Sequence, residues 1–184
     1  GFVVNRFLRE LSSRLMTSQG TSEGIELLET AASLWEKLLL FGSVRGAILF
    51  IKTLKMIAER LENDHPDYSE KIREGFASLS DTEFLDDVFG TLEDLPKEEL
   101  SAAGELLQMI PPSRIEYVIS RINGIESTDV RITLLESFAQ FIEISDELLA
   151  LTRHEDWKVV RNVFALMKNK KDQRIIPAIR NALS

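Results

Sequence analysis

"DWKVVRNVFALM", residues 156–167, sets an acid and a Trp before a β-branched pair, an Arg and a run of apolar residues at helical spacing. Taking Val160 as origin, Val163, Phe164 and Met167 follow at offsets 3, 4 and 7, which is one face of a helix. The pair Val160-Arg161 has four earlier counterparts: Val44-Arg45, Ile72-Arg73, Leu100-Ser101 and Val130-Arg131. Their spacings are 28, 28, 30 and 30 residues, and four of the five carry Arg in a chain with thirteen Arg. Three places on stand Ala47, Gly75, Ala103, Thr133 and Val163, which are mostly small. A period near thirty is what stacked helix pairs produce. Each pair has an apolar side it cannot bury alone, so neighbours share one continuous core.

Working outward, no segment alternates polar and apolar residues with the period of a strand. Apolar residues recur at helical spacing almost throughout, as in Leu27, Leu28, Ala31, Leu34, Trp35, Leu38 and Leu39. Breaks fall at Gly20, Gly42, residues 64–66, Pro96, residues 111–112 and Gly124. Ser43, Ser80, Ser113, Ser127 and Ser145 are candidate N-caps, able to accept from the free amides of a first turn. The pattern predicts about eleven helices, near 2–17, 22–41, 43–62, 67–79, 81–90, 96–109, 113–123, 128–142, 145–153, 156–169 and 172–183.

Residues 154–183, "HEDWKVVRNVFALMKNKKDQRIIPAIRNAL", resemble a HEAT repeat. An Asp stands in the turn, Val-Arg opens the second helix, and "IIPAI" reads as the first helix of the next unit with its Pro at Pro177. The resemblance covers about residues 80–184, more weakly over 96–109, where Ser101 replaces the Arg. It implies an all-α fold, a right-handed α-α superhelix of stacked antiparallel pairs. It also implies an Asp–Arg ladder, which Asp156 with Arg161 and Asp129 with Arg131 match in part. Residues 1–184 are then one solenoid domain, with longer divergent helices over 1–63 and HEAT-like repeats over 64–184. Residues 172–183 read as a first helix lacking its partner, either a cap of the array or, as is expected here, the edge of a piece of a longer protein.

Composition bounds the chemistry. With 44% hydrophobic and 28% charged residues the chain can build a core, and five Pro with nine Gly leave little room for a disordered linker. There is no cysteine, which excludes disulfides and thiolate sites and fits a cytoplasmic setting. The most apolar run, residues 38–51, is interrupted by Arg45 and too short to span a bilayer, so no membrane insertion is expected. The net charge of −8 disfavours nucleic acid, whose binding needs clustered positive charge. That charge is uneven: from Ala150 onward eight basic residues face three acids, a net of +5.

No catalytic, metal or cofactor constellation emerges. His65 and His154 sit in expected turns without helical ligand spacing. The acids of 81–89 and 93–100 lie where anions favour a helix start. "GSVRG", residues 42–46, lacks the length and the Lys-Ser/Thr ending of a phosphate loop. Lys168, Lys170 and Lys171 are expected to compensate a helix C-terminus, with phosphate or an acidic partner as the alternative. Trp157 is expected to pack between units, with an exposed binding anchor as the alternative.

The expectation is therefore a non-enzymatic scaffold contacting a protein partner or flanking domains of its own chain. Its candidate surface is Arg131, Trp157, Arg161, Asn162, Lys168 and Lys171. The alternatives are a nucleic-acid-binding module using the basic end, and a small-ligand protein resembling HEAT-like lyases.

Overall fold

The computed structural model describes residues 2–18 and 22–182, and among these every regular element is helical. Gly20 and the end of the last expected helix, at 183, lie outside the described residues. The chain divides into two compact units, residues 1–84 and 85–184.

The first unit contains α1 (Phe2–Thr17), α2 (Ser22–Leu40), α3 (Val44–Leu61) and α4 (Pro66–Glu74). Helix α3 packs against the other three. It buries Val44, Ala47, Ile48, Phe50, Ile51, Leu54, Ile57, Ala58 and Leu61, a helical stripe over its whole length. Each large apolar side chain removed from water contributes roughly 1.5–3 kcal/mol. Between α2 and α3 the chain reverses at Gly42, whose φ of 77° suits a residue without a Cβ. The Gly42 and Ser43 amides donate back to the Leu39 and Leu38 carbonyls, closing the end of α2. Trp35 is fully buried, stacks edge-on against Phe84 at 5.5 Å and donates its indole N–H to the Gly75 carbonyl at 3.0 Å.

The helix α5 (Thr82–Glu93) spans the division between the units. The second unit continues with α6 (Lys97–Leu100), α7 (Ala103–Leu107), α8 (Ile115–Gly124), α9 (Thr128–Phe141), α10 (Asp146–Ala150), α11 (Trp157–Met167) and α12 (Ile175–Ala182). Here α7 contacts α9 and α9 contacts α11, while α8 contacts α10 and α10 contacts α12. Helices α7 and α9 approach so closely that a Cβ on Gly104 would lie 2.2 Å from the Ser137 backbone. The Ser137 hydroxyl accepts from the Gly104 amide at 3.0 Å and donates to the Ser101 carbonyl. Helix α12 is tied down through Arg174, which reaches Asp172, Asp146 at 2.9 Å and the Ile144 carbonyl at 2.6 Å. Pro177 occupies the first turn of α12, where the missing amide costs no helical bond.

Local chemistry corrects several expectations. Ser127 and Ser145 cap α9 and α10 through the Val130 and Leu148 amides. Ser80 and Ser113 instead lie inside 3-10 turns, and Asp81 accepts from the Glu83 amide ahead of α5. The repeated pairs do not occupy one structural position. Val44, Val130 and Val160 fall in first turns, whereas Ile72-Arg73 falls at the end of α4 and Leu100 closes α6. In α11 the buried stripe is Val159, Asn162, Val163, Leu166 and Met167, one residue out of register with Val160. Nor does the Asp–Arg ladder form. Arg131 donates to the Ile125 carbonyl and Thr128, and Asp156 accepts from the Lys158 amide at its own helix start. A backbone carbonyl six residues away and a free first-turn amide are simply nearer partners than the acids and bases expected.

Candidate interaction face

Because α11 buries the side holding Val159, Val163 and Leu166, its opposite side is turned to solvent. Along that outer side run Trp157, Arg161 and Lys168, with Lys158 beside them, all exposed. The stripe follows from the sequence itself, since 157, 161 and 168 recur at spacings of four and seven. From 157 to 168 it is about 16 Å long at the rise of an α-helix.

Trp157 is 64% exposed, so it does not pack between units. The Arg161 guanidinium lies over its ring, 5.1 Å from the centroid, an arrangement that holds both planar groups in place for roughly 0.5–1 kcal/mol. Two cations on the stripe flank this pair and a third is part of it. Among the described residues no carboxylate pairs with Lys158, Arg161 or Lys168. The acids nearby in sequence are mostly committed. Asp156 caps α11, and Asp172 is bound by Arg174, whose guanidinium holds that carboxyl below its usual range. Glu155 alone of the three acids after 150 makes no such contact.

The other expected surface residues have different roles. Asn162 is 2% exposed and donates its amide to Asn123, so it belongs to the core beneath the stripe. Arg131 is half-buried and spent on the Ile125 carbonyl at 2.8 Å. Lys171 is exposed beyond the end of α11, and Lys168 is the C-cap residue of that helix, where a cation meets the dipole. Lys158, not among the expected surface residues, lies about 100° around the helix from Trp157 at the edge of the exposed side.

The turn histidines find ordinary partners. His154 Nδ1 accepts from the Asp156 amide at 3.0 Å and its Nε2 lies 3.4 Å from Glu116, while His65 stands at the start of α4. Among the described residues no group of three or more His, Asp or Glu is arranged to hold a metal ion. Tyr117 donates to Asp86, and burial followed by that carboxylate pushes its phenol up. A cleft of about 180 Å³ opens between Leu107, Ile110, Phe138 and Ile142. Among the described residues no helix is long and apolar enough to cross a membrane.

Comparison of the chain with protein-family models, with curated proteins and with solved structures finds no match.

Proposed function

We infer that the chain is a non-enzymatic helical-repeat scaffold of the HEAT-like kind, whose second unit presents the outer side of α11 to a protein partner. Successive contacts α7–α9–α11 and α8–α10–α12 support a solenoid reading, because stacked pairs place equivalent helices side by side. The observation that carries the docking role is Trp157, a large amphipathic side chain left in water with Arg161 stacked on it. Trp and Arg supply much of the energy of protein interfaces, and here both are held ready. A cysteine-free chain of this kind fits work in the cytoplasm.

Selection of peptide ligands from a random display library against the intact chain tests the docking role. Selected ligands should lose at least about tenfold in affinity when Trp157→Ala and Arg161→Ala are combined, the loss of one interface hot spot. The melting temperature should not move. Ligands indifferent to both changes overturn the assignment of the face.

A further inference from the structure

The outer side of α11 is not only exposed; it is charged in a way the rest of its unit opposes. Residues 85–149 hold four basic and fourteen acidic residues, a net of −10, whereas residues 150–184 carry +5. Elsewhere in this unit Arg121 pairs with Asp86 at 2.9 Å, and Arg174 with Asp172 and Asp146. Most other cations of the unit have no carboxylate partner among the described residues, but on α11 three of them, Lys158, Arg161 and Lys168, stand together on one exposed side. Arg153, exposed just ahead of α11, has no carboxylate partner among them either.

Resting on the docking role argued above, we propose that the α11 face takes an acidic linear peptide segment, with carboxylates on Lys158, Arg161 and Lys168 and an apolar side chain on the Trp157 ring. The dimensions agree. An extended segment rises about 3.3 Å per residue, so about five or six residues cover the stripe of about 16 Å. Arg161 and Lys168 stand about 10 Å apart along the axis, which corresponds to acids about three residues apart in such a segment. Arg161, whose Nε donates to Asn162 Oδ1 at 3.2 Å, has its two terminal nitrogens to offer a carboxylate while one face of the guanidinium stays on the indole. A nucleic-acid strand fits less well. Longer than the stripe, it carries negative charge beyond the flanking Arg153 and Lys171 toward the part of the unit, residues 85–149, whose charges sum to −10.

The two tryptophans supply a direct readout, since Trp35 is fully buried and Trp157 is in water. The probes are three labelled oligomers offered to the whole chain: a twelve-residue peptide with Glu at every third place around a central Leu, its Gln counterpart, and an oligothymidylate of similar length. The acidic peptide should bind and shift the Trp157 emission to the blue. Its affinity should fall at least about tenfold in the double variant Arg161→Gln, Lys168→Gln, and about as much between low salt and about 0.5 M salt, where screening is nearly complete. The Gln peptide should bind at least about tenfold more weakly, since only the charge pairs are lost. Preferential binding of the oligothymidylate overturns the proposal in favour of nucleic acid. Equal binding of the Gln and Glu peptides, lost in Trp157→Ala, overturns the acidic specificity while leaving the docking face intact. Failure of all three probes to move Trp157 overturns the proposal, and the display selection above then decides the docking role separately. Unchanged melting temperatures in the variants confirm that the fold is not the cause.

Discussion

The two units solve the same problem of burying helices with different means. The first relies on length: α2 and α3 have 19 and 18 residues, and α3 carries an apolar stripe along its whole length. The second works with short helices, of which α9 at 14 residues is the longest lying wholly within it. Its packing draws on a close helix approach and on paired buried polar groups. Gly104 against Ser137, and Asn162 against Asn123, are those devices. The contrast teaches that Trp35 and Gly104 hold up their units by opposite routes, one by filling space and one by leaving it empty.

That contrast can be broken most severely at Trp35. Trp35→Ala removes a fully buried ring and orphans the Gly75 carbonyl, and should cost about 3–5 kcal/mol in denaturant unfolding. A cost below about 1 kcal/mol would mean that the first unit does not depend on this side chain. Gly104→Ala comes next. The added methyl must push α7 from α9, an overpacking cost of about 1–3 kcal/mol, and hydrogen exchange should locate the loosening in those two helices. A Gly104→Ala variant as stable as the parent would show the helices free to separate.

A smaller effect distinguishes the end of the second unit. Asp172 titrates below the usual carboxylate range because Arg174 bonds to it. A depressed folded-state pKa gives stability that is complete above the unfolded carboxylate value and is lost as pH falls through the folded one. Amide resonances of α12 should therefore report a loosening in acid, and Asp172→Asn should abolish that pH step while loosening α12 already at neutral pH. The smallest effect belongs to Trp157→Ala, expected within about 0.5 kcal/mol of the parent because the ring is in water. A large destabilisation there would return Trp157 to the structural role that its exposure denies.

Much of the helix map was legible from spacing and breakers, since the long stripes of α2, α3 and α8 leave little choice of period. The caps were legible at Ser127 and Ser145, whereas Ser80 and Ser113 fall in 3-10 turns and Ser43 stands at the start of α3 without a side-chain bond to its first turn. The interaction face was half legible. Arg161 and Lys168 stand on the surface as expected and Trp157 stands there against the expectation that it packs between units, while Asn162, expected on the surface, is buried. A polar residue flanked by Arg161 and Val163 carries no local sign that a second amide, Asn123, thirty-nine residues earlier, makes its burial tolerable.

By itself the sequence determined that this protein is helical, where its long helices run, and that its positive charge gathers after residue 150. Those properties depend on residues near one another in the chain, and periodicity, breakers and composition record them. Only the tertiary structure decided which side of α11 faces water, that Trp157 stands exposed on it, and that its cations lack carboxylate partners. Burial and pairing are settled by which distant groups the fold brings within bonding distance, and spacing along the chain does not encode that.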